Sequence, residues 1–416
     1  MRFFRQSLCF LFLLLAIISC SGGSSSKGKT TIRYMYWDVT YNDTFDALKK
    51  AFEEKYTNIQ VIAEIVPFKQ YFTKLQSAAS SSDMADVFWM NFPNAPTYIS
   101  ANILEPLTFI NDDPELKSYA DNMPKPAHDI YFKNNNYYAI PKGMDSIVCF
   151  VNTKIFKDAN VAVPNNNWTL DDLVKVAQEL QTKLPANSYV YGLELNEQNG
   201  YLPYVFGNGG YDIKDGTNIG WDNPKTIEAI ELYTKIINEP WSRDPNSEIR
   251  VAEDYLAGRS AILQDLSTLL YSMQKNPELL SNTIILPLPV ITEGNPSCLH
   301  SVGDAIFAKS KNKEAAIEFF KFMNSPEGLE IQAKTSIFFP LSEPYISIQT
   351  ENLPVSKESI SNIVYSCTNS FPYPSTLEFT RYFKDMDTAV KSIVQVNKPA
   401  SDTLKALSEN VRGYIK

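Results

Sequence analysis

TIRYMYWDVTYNDTFDALKKAFEEKYTNIQVIAEIV, residues 31–66, decides the architecture of this chain. Thr31 to Trp37 is dense in β-branched and aromatic residues and reads as a strand. Phe45, Leu48, Ala51 and Phe52 recur at helical spacing, which predicts a helix from Asp43 to Tyr56. Ile59 to Val66 is a second strand. A connection that contains a helix cannot be a hairpin, so the two strands run parallel with a right-handed crossover. Working outward, Gln70 to Ala79 is a further helix and Asp86 to Met90 a third, apolar strand. Alternating strands and helices are the pattern of an α/β protein.

The alternation continues along the chain. Thr169 precedes Leu170, Leu173, Ala177, Leu180 and Leu184, with Asp172 three residues on, a capping-box arrangement. Asn223-Pro224 opens another helix with a cap residue and a proline at the first helical position. Gly258 closes a short helix before the strand Ala261 to Leu263. Lys313 to Met323 and Ser401 to Tyr414 read as late amphipathic helices. Gly207-Asn208-Gly209-Gly210 lacks the strand–GxGxxG–helix setting of a phosphate cradle and reads as a loop that brings backbone close to a ligand.

The N-terminus has its own logic. Arg2 and Arg5 precede an apolar run, Leu8 to Ile18, which is shorter than the roughly 20 residues a membrane span needs. The run fits the hydrophobic part of a secretory signal. Ile17-Ile18-Ser19-Cys20 resembles the lipobox of bacterial lipoproteins, which implies cleavage before Cys20 and lipid on that cysteine. Ser21 to Ser26, small and polar, suits a flexible tether. At 416 residues the chain is long for one core and points to two lobes. A formal net charge of -9 argues against nucleic acid as a partner. With only His128 and His300, and no HExxH or CxxC, neither a metal site nor a cofactor is expected. Cys149 reads as a small buried hydrophobe, leaving Cys298 and Cys367 as the one pair that could bridge.

Several segments together resemble one family, the sugar-type extracellular solute-binding proteins of ABC importers. They are Ala51-Phe52-Glu53, Ala85-Asp86-Val87-Phe88 and Tyr137-Tyr138-Ala139-Ile140-Pro141, then Phe150-Val151-Asn152 and Trp168 to Leu173. Tyr255 to Ala261 and Ser310 to Glu327 complete the series in the family's order. Asn134–Asn136 departs from the family's glycine-containing turn. The resemblance implies a two-lobed periplasmic-binding-protein fold of type II, each lobe a mostly parallel sheet flanked by helices. It places residues 1–19 in a signal peptide and 20–29 in the tether. Residues 30–143 plus 304–341 then form one lobe, and 144–303 plus 342–416 the other. Three interlobe crossovers are expected near Gly143–Ile147, His300–Asp304 and Leu341–Pro344. A monomer is expected, tethered outside the cytoplasm, that closes on a sugar and presents it to the permease subunits.

Ligands of α/β sheets lie beyond the carboxyl ends of the parallel strands. A sugar shows aliphatic faces and a rim of hydroxyls, so aromatic rings should stand beside carboxylates and amides. Trp37 and Asp38 end the first strand; Trp89 and Asn91 end the third. Asp145 stands where the resembling family sets a polar sugar contact. Trp221 and Trp241 are candidates for the opposing wall, with Trp241 favoured, and Gln264, Gly303 and Asp304 are candidate rim ligands. Two other readings stay open: a secreted carbohydrate-active enzyme built on two carboxylates, and a binding protein for a glycerol phosphate or another non-sugar solute.

Overall fold

The computed structural model describes residues 28–81, 83–351 and 353–415. The opening strand, Thr30–Tyr36, leads into the helix Asn42–Lys55, which turns Phe45, Leu48 and Phe52 inward. Each such ring or leucine contributes about 1.5–3 kcal/mol when fully buried. The chain returns in Ile59–Ile65, parallel to the first strand with Ile32 opposite Val61. Val87–Asn91 follows on the other side, parallel and buried on both faces. Two more strands complete this five-stranded sheet, in the order 59–65, 30–36, 87–91, 302–306, 140–141. A second, four-stranded sheet has the order 283–286, 147–152, 260–266, 189–192.

In each sheet all but one strand run the same way, so both are mostly parallel with a single reversed strand. Val302–Ile306 runs antiparallel to Val87–Asn91, and Ile147–Asn152 runs antiparallel to both of its neighbours. The cause is connectivity. These two strands enter their sheets directly from the other lobe, so they start at the edge facing it and run away from it. Strands delivered by a helix instead run toward that edge.

Short passages join the lobes. Asp145 and His300 exchange backbone hydrogen bonds of 3.1 and 3.0 Å, and the Met144 N–H donates to Phe339 at 2.9 Å. Three stretches around residues 144, 300 and 339 therefore lie side by side. The first lobe resumes at Val302, whose strand belongs to the first sheet. The sequence expectation that the first lobe ends at residue 341 needs correction. The helix Tyr345–Thr350 still packs on Pro326–Thr335, with the Gln349 side chain donating to the carbonyls of Ser336 and Phe338. The next helix, Lys357–Thr368, packs on the second sheet, where Asn362 donates to the Ile285 carbonyl. We therefore set the last passage between Thr350 and Lys357.

Local signals formed as expected. Thr169 and Asp172 make the reciprocal capping box, and Asn223 accepts from the Lys225 N–H. Gly258, with φ +71°, ends its helix. Asn134 and Asn135 both take positive φ and turn a two-residue hairpin without glycine. Gly207–Gly210 is held by the protein's own groups. The Gly207 carbonyl receives the N–H groups of Thr292 and Glu293, and Gly210 lies hard against Thr226. Cys149, Cys298 and Cys367 are buried free thiols. Among the described residues no helix is long and apolar enough to cross a membrane. Cys20, the signal and most of the tether lie outside the described residues.

Candidate functional site

The toward-running strands of both sheets have their carboxyl ends on the side of the passages. On the first lobe, Trp37 follows its strand and is half-buried. Its ring stands edge-on to Tyr71 and Trp89, each with centroids 4.9 Å away, and to Phe68 at 5.4 Å. Phe68, just past the second strand, is 54% exposed, and Val39 is exposed beside Asp38. This leaves an aromatic and aliphatic platform at the edge. Asp38 caps the turn that follows: its Oδ1 accepts from the Thr40 N–H at 2.9 Å and the Thr40 hydroxyl at 2.7 Å.

Beneath that platform lies a closed polar network. The Trp89 indole donates to the Tyr34 hydroxyl at 2.7 Å, and that hydroxyl donates to Asp304 at 2.6 Å. Lys142 Nζ donates to the other Asp304 oxygen at 2.7 Å and to the Tyr34 oxygen at 3.2 Å. Trp89, Asp304 and Gly303 are thus floor, not wall: all are buried, and the polar groups already hold each other. A Cβ on Gly303 would come within 2.8 Å of the Ala139 Cβ, so the site needs glycine for packing rather than for a ligand. Asn91 is also buried, its Oδ1 taken by Asn94 at 2.8 Å.

On the second lobe, Asp145 accepts from the Ser267 hydroxyl at 2.9 Å and from the hydroxyl and N–H of Thr268. It ties the loop after the strand Ser260–Leu266 to the first passage. Burial pushes its carboxyl up to about 6, with those hydrogen bonds pulling it down. Three other candidates are enclosed by protein in the structure. Trp221 is in the core, its N–H donated to Tyr382 at 3.0 Å. Trp241 is buried against Tyr191, where its carbonyl receives the Val190 and Tyr191 N–H groups beside the strand Tyr189–Gly192. Gln264 is buried, accepts from the Tyr191 hydroxyl and donates to the Asn199 carbonyl, so both ends of its amide are held within the lobe.

The polar groups left at the second edge are ones the sequence reading did not single out. Strand Tyr189–Gly192 ends just before Glu194, and Asn196 then caps a wide turn, Glu197–Tyr201, of the π type often found at functional sites. Asp265 accepts from the Asn199 amide at 2.6 Å, while its other oxygen lies 4.0 Å from Arg250, which is 62% exposed on its side chain. Burial pushes the Asp265 carboxyl up to about 7, against the pull of the Leu266 N–H and Arg250. Burial also raises Glu194, whose Oε2 has no partner among the described residues, and the same holds for Gln198 Nε2. Glu197 accepts from the Tyr373 hydroxyl. The signal available in sequence was the run Asn196-Glu197-Gln198-Asn199, which stands to its strand as Trp37-Asp38 stands to the first.

Between the lobes lies a hollow of about 740 Å³, bounded by Phe92, Pro96 and Lys133 on one side and by Asp215, Tyr373 and Ser375 on the other. One direct bond crosses beside it, from the Thr97 hydroxyl to the Leu377 carbonyl at 3.1 Å. Another hollow, about 650 Å³, opens at the far end of the second sheet near Asn152 and Gly258, away from the passages. Among the described residues no group of His, Cys, Asp and Glu could hold a metal ion.

The chain resembles known proteins in sequence and in fold. The family model described as bacterial extracellular solute-binding protein matches residues 37–330. An arabinooligosaccharide-binding protein of Halalkalibacterium halodurans is 22% identical over 326 residues, 73% of this chain and 69% of that one. An ABC substrate-binding protein from Listeria monocytogenes, solved with cycloalternan, superposes with a TM-score of 0.82 at 20% identity, covering 92% of this chain and 98% of that one. The GacH receptor of Streptomyces glaucescens, solved with acarbose, gives 0.78 at 18% identity, with 93% and 98% covered. At such identities the structural likeness establishes the fold, a two-lobed periplasmic-binding-protein fold of type II.

Proposed function

The chain belongs to the bacterial extracellular solute-binding protein family, and from that premise we propose that it captures a sugar between its lobes and delivers it to the permease of an ABC-type importer. The observation that carries this reading is the pairing of an aromatic edge, Trp37 and Phe68, with a polar edge, Glu194, Gln198, Arg250 and Asp265. The aliphatic face of a pyranose or furanose ring lies on the first edge. Its hydroxyls meet the second, along with the Asp38 oxygen not engaged by Thr40. A carboxyl near its midpoint, as Asp265 is at neutral pH, can both accept from and donate to a hydroxyl. Rotation about the short passages closes the lobes on the ring and excludes water. Cys20 carries the lipid that holds the protein, as a monomer, at the outer face of the cytoplasmic membrane. The sugar leaves chemically unchanged.

The relatives support the sugar class, since those named above are described with an arabinooligosaccharide, cycloalternan and acarbose. A glycerol phosphate would call for clustered cations, and at these edges Arg250 is exposed while Lys142 is sealed against Asp304. The test is a thermal-shift screen of the mature chain against sugars, polyols and glycerol phosphates. A sugar at 100 times its dissociation constant stabilises the fold by about 2.7 kcal/mol. A shift with one sugar class, and recovery of that sugar intact after long incubation, is the expected result. Consumption of the sugar, or a shift with glycerol phosphates alone, overturns the reading.

A further inference from the structure

We propose that Asp145 is a positioning residue for lobe closure: its carboxylate clamps the first passage to the second lobe and so confines bending to two peptide links, Met144–Asp145 and His300–Ser301. Only rotation of the lobes is required; the class of the ligand does not enter. On one side of these links the bonds lead to the first lobe. The Lys142 N–H donates to the Val302 carbonyl and the Met144 N–H to the Phe339 carbonyl, each at 2.9 Å. Phe338, next to Phe339, packs its ring on Trp89 with centroids 5.4 Å apart. In the second passage the Ser301 hydroxyl donates to the Gly143 carbonyl at 3.2 Å. The Ser301 carbonyl lies 3.1 Å from the hydroxyl of Tyr131, which also bonds the Met90 carbonyl at 2.7 Å.

On the other side the bonds lead to the second lobe. Asp145 accepts from the Ser267 hydroxyl at 2.9 Å, the Thr268 hydroxyl at 3.1 Å and the Thr268 N–H at 3.3 Å. The Ser146 carbonyl accepts from the Ser267 N–H at 2.8 Å, and the Ile147 N–H donates to the Ser297 hydroxyl at 2.6 Å. His300 is held to Asp145 by their two backbone bonds and stands edge-on to Tyr373 of the second lobe. One covalent link in each passage therefore separates a residue bonded to one lobe from a residue bonded to the other, and hinges of this kind take up rotation in a few backbone dihedrals. The carboxylate keeps that boundary sharp. Asp145 is buried, and hydrogen bonds to an ionised acceptor are roughly twice as strong as neutral ones. Without it, residue 145 itself is held only through His300, another passage residue, and bending spreads along both passages. The clamp also joins the pivot to the site. Ser267 and Thr268 follow directly on the strand Ser260–Leu266, which carries Asp265 of the polar edge, so a pull on Asp265 reaches the pivot through the end of one strand.

Pulsed dipolar EPR tests this on the ligand-free chain from Ser24 onward, whose three native thiols are buried. Nitroxides go on Lys50→Cys in the first lobe and Lys405→Cys in the second, both exposed helix positions. The doubly labelled parent should give one narrow distance distribution. Asp145→Ala should widen it about twofold, and Ser267→Ala with Thr268→Val, which removes both donor hydroxyls, should widen it likewise. Asp145→Asn keeps an acceptor for the same donors and should stay within about 20% of the parent width. A residue that only supports the fold would lower the melting midpoint and leave the width unchanged. Should Asp145→Ala fail to fold, the hydroxyl variant decides. Unchanged width in the variants that fold, or an Asp145→Asn distribution as wide as that of Asp145→Ala, overturns the proposal. No ligand takes part, so silence of every sugar in the binding screen overturns the sugar reading and leaves this result standing.

Discussion

Replacing Lys142 by methionine exposes the network under the first edge to a direct test. The ammonium lies 2.7 Å from Asp304, and the two side chains are 1% and 3% exposed. Removing one member of such a pair strands the other, and breaking a buried ion pair costs about 3–5 kcal/mol. Asp304 would keep only the Tyr34 hydroxyl, while Tyr34 would still receive the Trp89 N–H. Urea unfolding followed by tryptophan fluorescence reads the loss. With a slope of roughly 3 kcal/mol per molar for a chain of this size, the midpoint should fall by about 1–1.7 M. Adding Asp304→Asn neutralises the stranded charge and keeps an acceptor for Tyr34, so the double variant should recover at least half of the loss. A single variant costing under about 1 kcal/mol, or a double variant as unstable as the two single losses summed, would refute the argument that charge pairing holds this floor together.

Other outcomes follow from the same geometry. Asp265 has a folded-state value of about 7, raised above that of an unfolded aspartate, so the folded protein holds a proton that the unfolded chain releases earlier. Its contribution is therefore fully present below about pH 4 and lost as pH rises toward and through 7. Urea midpoints between pH 4.5 and 8 should fall less steeply in Asp265→Asn than in the parent. Gly303→Ala should destabilise by about 1–3 kcal/mol, because its methyl would meet Ala139, Tyr131 and the Ile140 carbonyl at 2.8–3.1 Å; a thermal melt checks this. Trp37→Ala should weaken sugar binding at least tenfold, with Trp37→Phe keeping most of the affinity by titration. Arg250→Gln, at an exposed side chain, should leave stability within about 0.5 kcal/mol while lowering sugar affinity several-fold.

Much of the fold could be read from local pattern. The helix Lys313–Met323 has the bounds its apolar spacing predicts, and the cap at Thr169 works as the Thr-x-x-Asp spacing requires. The α/β alternation over residues 31–66 is intact in the structure. Which face a tryptophan presents was not legible. Every residue of Val87–Asn91 is buried, so the strand carries no alternation to say which side is wet, and Trp89 settled into the core. Trp221 and Trp241 sit beside turn-forming residues, yet partners distant in sequence, Tyr382 and the strand Tyr189–Gly192, enclose them. The one reversed strand of each sheet arrives from the other lobe, and a crossover without a helix gives no local sign of that reversal. Residue pairs that build the second edge, Asn199 with Asp265 and Glu197 with Tyr373, are 66 and 176 positions apart. No local spacing links them. What could have been found is the polar run after Gly192, by applying to the second lobe the strand-end rule that picked out Trp37 and Asp38.

Hydrogen exchange with and without a saturating sugar, resolved by peptide, tests the central claim most directly. The account predicts slowed exchange at both edges at once: around Trp37–Asp38 and Phe68 on the first lobe, and around Glu194–Asn199 and Asp265–Thr268 on the second. Protection confined to one lobe, or appearing only at the far hollow near Asn152 and Gly258, would contradict it.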